Sequence, residues 1–308
     1  MGDDMAASDI QRVKKQTAVS TWLVKNESKI RELKHSIGLF SKSPLAVLGL
    51  VIIAMYVLVA IFAPFIAPYE EGWHDLTLLH AAPSNEHMLG TEIYGGDILS
   101  MIIWGSRLSL TLGFAVVLST IIVGILIGAV AGYYGGWVDE LLMRVTDIFL
   151  GFPSLVLAMV ICAALGSSLQ NVMIAMAIVW WPTYARLIRG QVLSIKERKY
   201  IEAARSVGAS DFRIITKHLL PNSFSPIIVQ STMDLGSVII TAAALSFIGM
   251  GAGAGEAEWG RMVTDGRDIL FSAPWVSTFP GLAILTVCLG FNLLGDGLRD
   301  ILDPRMRR

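Results

Sequence analysis

The sequence predicts an all-α protein that crosses a membrane six times. Of its 308 residues, 54% are hydrophobic and only 16% are charged, whereas soluble domains carry about 25% charged residues. The mean hydropathy is +0.62, and several uncharged stretches reach the roughly 20 residues that a membrane-spanning helix needs. The net charge of −1 provides no basic excess for nucleic acid. Membrane lipid is therefore the expected surrounding, and nucleic acid is not an expected partner.

Six uncharged apolar stretches account for the predicted spans. Residues 148–185 contain no charge over 38 positions, which is too long for one helix, and a break at Gly166-Ser167-Ser168 divides them into two. The complete set of predicted spans is 45–66, 108–131, the two halves of 148–185, a helix within 224–248, and 273–295. The first span is expected to be retained as an anchor, because it is longer than a signal-peptide core and no convincing small-residue cleavage site follows it.

The positions of Lys and Arg predict the orientation. On one side of the six-span topology lie 21 of the 24 Lys and Arg residues: eight in 1–44, one in 132–147, eight in 185–220 and four in 296–308. Cytoplasmic segments carry such an excess. We therefore expect cytoplasmic termini, a location in a bacterial plasma membrane, and segments 67–107 and 249–272 on the outer side.

The predicted spans hold few groups that perform chemistry. The intervals between His74, His80 and His87 do not match the i, i+4 pairing of helical zinc sites. Cys162 and Cys288 each lie in an apolar stretch, so neither a disulfide framework nor a CxxC site is expected. No Lys follows a Gly, and the phosphate-binding loop GxxxxGK[ST] is therefore absent. We expect no enzymatic activity, metal or cofactor in this chain. If it pumps a solute, the energy must come from an ion gradient or from another subunit.

Residues 185–220 are too long for a structureless connector. Apolar residues at Ile201 and Ala204, followed by Val207 or Gly208, predict one face of a short helix that ends in a glycine. We expect φ to be positive at Gly208, a conformation that a side chain opposes.

A second helix is predicted after this glycine. Its side-chain cap is expected from Ser210, with Asp211 at the positive end of the helix dipole. Its apolar face is expected to hold Phe212, Ile215 and Leu219, and its end is expected near Pro221. The residues alone leave two interpretations open, a docking site for a cytoplasmic partner or an amphipathic connector on the lipid headgroups.

Several motifs carry a resemblance to a known family. The residues Glu202-Ala203-Ala204, Gly208 and Leu220-Pro221 resemble the EAA loop of the membrane subunits of ATP-binding-cassette importers. The segments 87–92, 95–100, 105–110, 245–251, 259–260 and 292–305 are similar to the dipeptide and oligopeptide branch of these permeases. This chain has Gly96 where the branch usually has Arg, and Glu92 where it has Asp.

The resemblance implies a type I importer permease with a MetI-like fold, in four parts. These are a cytoplasmic segment 1–44, a first transmembrane helix with an extracytoplasmic segment 45–107, a core 108–298 with a coupling loop 198–221, and a cytoplasmic tail 299–308. It also implies a homologous sister permease, two cytoplasmic subunits that bind ATP and Mg, and an extracytoplasmic substrate-binding protein. Peptides are the implied solutes, with nickel chelates, opines, glutathione and sugars as alternatives.

The resemblance also implies which residues contact an ATPase, namely Glu202, Ala203, Ala204, Gly208, Ser210, Leu220 and Pro221. Glu202 is expected to orient the loop through a charge-assisted bond. Asp234 is the ionisable residue expected at membrane depth, where it should face the translocation path or the sister permease, because a charge in lipid is costly. A stand-alone secondary transporter would show inverted repeats and more charges at mid-membrane, and a membrane-embedded enzyme would show catalytic groups there.

Overall fold

The fold is a bundle of α-helices. The computed structural model describes residues 43–302 and, ahead of them, residues 38, 40 and 41. Within these residues there is no β-strand, only an isolated bridge between Thr91 and Asp97, and the predicted all-α class is confirmed. The helices are α1 (Pro44–Ile66), α2 (Ile98–Tyr134), α3 (Gly136–Leu150), α4 (Ser154–Leu165), α5 (Leu169–Lys196), α6 (Lys199–Ser206), α7 (Asp211–Phe247), α8 (Trp259–Asp265) and α9 (Trp275–Leu302).

The predicted count of six spans is supported only approximately. Among the described residues, α1, α2, α7 and α9 are long and apolar enough to cross a membrane, and a fifth span results if α3 and α4, bent by 86°, are counted as one. Helix α5 has 28 residues, which is about 42 Å of helix. It contains Pro182, Arg186 and Arg189, so its apolar character is lower than that of the other long helices.

The structure differs from the sequence prediction at two spans. Helix α2 contains the predicted span 108–131 but begins before it, at Ile98, because the Asp97 carboxylate caps it by accepting from the Ser100 backbone N–H at 2.8 Å. The predicted third span is broken at residues 151–153, since Pro153 lacks an N–H and disfavours a helical conformation in the residue before it. The remaining helix α4 has 12 residues, about 18 Å, and is too short to cross alone. The predicted turn at 166–168 is confirmed.

Helices α2 and α5 form the most extensive helix pair in the bundle. Three glycines of α2 recur every fourth residue on the contact face, and an added Cβ would meet atoms of α5 at each of them. Gly124 lies against Tyr184 and Ala185, Gly128 against Ala185 and Ile188, and Gly132 against Arg189 and Val192. Such small-residue spacing lets two helix backbones approach closely in a membrane. The two helices therefore behave as one packed unit.

The contacts define two ends of the bundle. At one end, Lys196 Nζ donates to the Gly132 carbonyl at 2.9 Å, and the Tyr133 hydroxyl donates to Asp211 Oδ1 at 2.6 Å. The start of α1 and the end of α9 meet at this same end, where Gly297 lies against Ala46. Residues 67–97 and 249–274 form the opposite end.

The opposite end is held by buried polar contacts. His87 Nδ1 pairs with Asp97 Oδ1 at 3.0 Å, and the His87 ring stacks on Tyr69. The Glu258 carboxylate caps α8 by accepting from the Gly260 and Arg261 backbone N–H groups at 2.9 and 2.8 Å. Burial raises the pKa of the Glu258 carboxyl, and these two bonds oppose the shift. The glycine-rich residues 249–258 are not helical, since glycine disfavours a helix.

We predict that Gly128→Ala destabilises the protein. The added methyl would overlap the Ala185 carbonyl, and such overpacking costs about 1–3 kcal/mol. The matched control is Gly190→Ala, also in a helix, where a Cβ meets no atom within 4 Å. The measurement is the thermal unfolding midpoint of the detergent-purified protein, which should fall for Gly128→Ala only. Equal midpoints for the two variants would contradict the close α2–α5 approach.

Candidate functional site

Residues 198–221, which we call the elbow, consist of α6, a turn and the first residues of α7. The turn is a Schellman motif: the Ala209 N–H donates to the Ala204 carbonyl at 3.1 Å, and the Gly208 N–H donates to the Arg205 carbonyl at 2.9 Å. Gly208 has φ of +79°, the left-handed conformation that the sequence predicts. Because no atom lies within 4 Å of a Cβ at this position, the need for glycine comes from the backbone conformation alone.

The EAA residues lie on the outer surface of α6. Glu202 and Ala203 are exposed, and Ala204 is half-buried. The carboxylate of Glu202 makes no hydrogen bond or ion pair with any residue that the structure describes, and only its backbone carbonyl accepts, from the Ser206 hydroxyl at 3.0 Å. The described residues therefore provide no partner for the charge-assisted bond expected of Glu202, and its carboxylate is left available at the surface.

The predicted apolar faces of the elbow were partly wrong. Val207 is 84% exposed and Phe212 is 77% exposed, whereas Ile201, Ile214 and Leu219 are fully buried. The residues from Ile215 to Leu219 form a single π turn. Since a π turn closes bonds five residues apart, Ile214 and Leu219 face the bundle together, and Phe212 points away from it. Two large apolar side chains are left exposed on either side of the Gly208 turn.

The second helix of the elbow does not end near Pro221. It continues as α7 to Phe247, and Pro221 lies directly after the π turn. There the Leu220 N–H bonds to the Ile215 carbonyl, five residues back. The wider turn accommodates a proline, which has no N–H and whose ring crowds the preceding helical turn. The Leu219 carbonyl is satisfied by the Ser223 hydroxyl, which donates to it at 2.9 Å.

Ser210 occupies the predicted N-cap position, but its hydroxyl does not cap the helix. Its backbone carbonyl accepts from the Ile214 N–H at 2.9 Å, and its side chain is exposed to solvent. The neighbouring Asp211 carboxylate accepts from the Tyr133 hydroxyl, and the Arg205 guanidinium lies over the Tyr133 ring at 5.3 Å. The last turn of α2 is thus attached directly to the elbow.

An apolar cluster lies beneath the elbow. Ile201, Ile214 and Leu219 pack there with residues of α2 and α5, namely Ala129, Tyr133, Tyr184, Ile188, Val192 and Ile195. Fully buried apolar side chains each contribute about 1.5–3 kcal/mol, and close packing transmits displacement. A partner that moves the elbow therefore moves α2 and α5 with it.

Asp234 lies inside the bundle, in the middle of α7. Its side chain is 8% exposed, and its Oδ1 accepts from Gln230 Nε2 at 3.0 Å. Its Oδ2 has no hydrogen-bond partner among the described residues, and neither has the hydroxyl of Tyr184, which lies beside the same carboxylate.

Asp234 also lines a cavity of about 380 Å³ between the α3–α4 break, α5 and α7. Aromatic side chains form much of its wall, and the lining residues are Phe149, Leu150, Phe152, Ser154, Val179, Trp180, Thr183 and Asp234. Neither this cavity nor a polar row on α7 was predicted from the sequence. Gln230, Asp234, Ser237 and Thr241 follow the spacing i, i+4, i+7, i+11, which places them on one helix face. That spacing was readable from the sequence.

Two family models match the chain. The model for binding-protein-dependent transport system inner membrane components matches residues 124–308, which is more than half of the chain. The model for the N-terminal transmembrane domain of oligopeptide transport permease C matches residues 37–83. Together they leave only residues 1–36 and 84–123 unmatched.

Curated relatives match over nearly their whole length. The chain is 47% identical to the dipeptide transport system permease protein DppC of Alkalihalophilus pseudofirmus, over 94% of this chain and 92% of that protein. It is 46% identical to the probable D,D-dipeptide transport system permease protein DdpC of Escherichia coli, over 85% and 88%. It is 43% identical to the glutathione transport system permease protein GsiD of Pectobacterium atrosepticum, over 87% and 89%.

The fold is also found among solved structures. An inward-facing structure of the MetNI methionine ABC transporter matches with a TM-score of 0.53 and 21% identity, over 65% of this chain and 96% of that one. At this identity the likeness concerns the fold alone, and it agrees with the expected MetI-like architecture. The chain belongs to the inner-membrane components of binding-protein-dependent ABC transport systems, in the dipeptide and oligopeptide permease branch, and is a multi-pass inner-membrane permease.

Proposed function

We propose that this permease forms one half of the translocation path of an ATP-driven importer of dipeptides or oligopeptides. The other half is a homologous sister permease, two cytoplasmic subunits bind ATP and Mg, and an extracytoplasmic binding protein delivers the solute. The single observation that carries the coupling role is the elbow, which exposes Val207 and Phe212 next to the free carboxylate of Glu202. Large exposed apolar side chains beside charged ones are typical of a protein interface.

The elbow faces the cytoplasm in this proposal. The end of the bundle that holds it also holds the start of α1 and the end of α9, and Lys and Arg are concentrated in the same segments. Positive charge favours the cytoplasmic side. The opposite end of the bundle, formed by 67–97 and 249–274, then faces outward, where a binding protein docks. The division into segments 1–44, 45–107, 108–298 and 299–308 belongs to the same proposal, although residues 1–37, 39, 42 and 303–308 lie outside the described ones.

We expect Gly208→Asp to uncouple transport from ATP hydrolysis. The substitution puts a charged side chain on a left-handed turn at the ATPase contact without touching another part of the chain, and a non-glycine residue in this conformation costs about 1–3 kcal/mol. In vesicles that contain all subunits, uptake should fall at least about tenfold, or 1.4 kcal/mol, while ATP hydrolysis continues. Glu202→Arg should act in the same way.

The matched control for this experiment is Gly136→Asp. Gly136 has φ of +56° and, like Gly208, no atom within 4 Å of a Cβ, but it is the first residue of α3 and lies outside the elbow. Normal uptake is expected for this control. Unchanged uptake for Gly208→Asp as well would remove the coupling role of the elbow.

We expect Phe212→Glu to weaken attachment of the ATPase subunits. An aromatic anchor at an interface contributes about 2 kcal/mol or more, so the amount of ATPase that copurifies in mild detergent should fall by more than tenfold. Phe271→Glu is the control, because Phe271 is 103% exposed but lies at the opposite end of the bundle. Retention of the ATPase by the Phe212 variant would show that this face is not its docking surface.

The solute is proposed from the named relatives, two of which are dipeptide permeases. Several relatives are glutathione permeases, which makes glutathione, itself a peptide, the second candidate. Mass spectrometry of the natively purified binding protein distinguishes the two: we expect it to carry unmodified dipeptides or oligopeptides. Glutathione, a metal chelate or a sugar in its place would redirect the assignment.

A further inference from the structure

We infer that Asp234 forms a recognition site for a primary ammonium group at membrane depth, in the cavity beside α4 and α5. The inference rests on the proposed function and deepens it, since it assigns this chain a contact with the charged amino end of the solute. Four features of the described residues carry it.

The first feature is a buried charge without a counter-charge. Asp234 is 8% exposed, and among the described residues the one side chain seen to donate to its carboxylate is the neutral Gln230. The two arginines of α5 are engaged elsewhere, Arg186 with Asp147 at 2.6 Å and Arg189 with Asp139 at 2.5 Å. An unpaired buried carboxylate is costly and is normally paired with a cation.

The second feature is the lack of hydrogen bonds around this charge. Asp234 Oδ2 and the Tyr184 hydroxyl are both buried and both without a partner in the described part of the chain. Buried polar atoms are rarely left unsatisfied. The Tyr184 hydroxyl can donate to the Asp234 carboxylate beside it. An ammonium group, which has three N–H donors and no acceptor, can donate to the carboxylate and to the phenol oxygen at the same time.

The third feature is the polar row on α7. The Thr241 hydroxyl donates to the Ser237 carbonyl at 2.8 Å, and the Ser237 hydroxyl donates to the Met233 carbonyl at 3.5 Å. Since each hydroxyl oxygen has two lone pairs, both oxygens remain able to accept. A succession of acceptors thus leads along one helix face to Asp234, in a helix where lipid would favour apolar side chains.

The fourth feature is the cavity itself. Its volume of about 380 Å³ lies in the range of small-ligand sites, about 300–1,000 Å³. Phe149, Phe152 and Trp180 line it, and aromatic faces attract cations. Thr183 and Ser154 are exposed at its rim, so the cavity is accessible from outside the bundle.

The charge of the cavity is tested with cysteine accessibility in the reconstituted complex. Thr183→Cys is reacted with a cationic (trimethylammonium-ethyl) and an anionic (sulfonatoethyl) methanethiosulfonate reagent, with and without Asp234→Asn. The native thiols of Cys162 and Cys288 are buried and contribute little. We compare the rate at which the cationic reagent modifies the thiol with the rate for the anionic reagent. This ratio should fall about tenfold in the Asp234→Asn background, because one nearby negative charge is lost. At Ser272→Cys, which is exposed at the opposite end of the bundle, Asp234→Asn should leave the ratio unchanged. An unchanged ratio at residue 183 overturns the site.

Recognition of ammonium is tested by protection in the same complex. L-alanyl-L-alanine should slow the modification of Thr183→Cys at least about twofold more than N-acetyl-L-alanyl-L-alanine, which has the same backbone without the ammonium group, and Asp234→Asn should abolish the difference. Equal protection by the two compounds overturns the proposal. So does a loss of copurifying sister permease in Asp234→Asn, because Asp234 would then be paired with that subunit.

Uptake separates this site from the proposed function. In the full complex, Asp234→Asn should reduce dipeptide uptake at least tenfold with ATP hydrolysis retained, and Asp234→Glu should restore part of it. If the wild-type complex accumulates no dipeptide, the proposed peptide function fails, while the rate ratio at residue 183 still reports on the cavity. If it accumulates dipeptide and Asp234→Asn behaves like wild type in uptake and in both thiol assays, only the ammonium site fails.

Discussion

Three glycines on α2 allow the backbones of α2 and α5 to come so close that no side chain fits between them. The positions of the elbow and of the Asp234 cavity both depend on this contact. It fixes the ends of both helices next to the elbow, where Tyr133 and Lys196 make their bonds. It also places the middle of α5 against α7, so that α5 forms one wall of the Asp234 cavity. Sub-ångström displacement in such tightly packed helices cannot be absorbed locally and is passed on.

The elbow illustrates how irregular backbone shapes an exposed surface. The left-handed Gly208 and the π turn before Pro221 together rotate the elbow so that some apolar residues pack on the bundle while Val207 and Phe212 face outward. π turns are rare and are frequent at functional positions. A regular helical period would place Phe212, Ile215 and Leu219 on one face, whereas the observed backbone buries Ile214 and Leu219 and leaves Phe212 exposed. The exposed surface is therefore a product of the backbone, and not of composition alone.

Local chemistry explains what was predictable from the sequence. The helical class, the glycine turn at 208 and the break at 166–168 depend on neighbouring residues, and all three were predicted. The start of α2 was missed because counting apolar residues ignores a cap such as Asp97. The faces of the elbow were misassigned because a 3.6-residue period assumes an uninterrupted α-helix. Asp234 was predictable as a charge within an apolar stretch, but its cavity was not, since residues from four helices far apart in sequence build it.

The side chain of Tyr184 connects the α2–α5 interface, the apolar cluster beneath the elbow and Asp234. It packs against Gly124, belongs to the cluster beneath the elbow, and places its hydroxyl beside the Asp234 carboxylate. A displacement of α5 that accompanies ATPase closure would carry this phenol toward or away from the carboxylate. The strength with which the carboxylate holds a positive group would then differ between the two states of the pump. In the proposed ammonium site, Tyr184 would then favour binding of the positive group in one state and its release in the other.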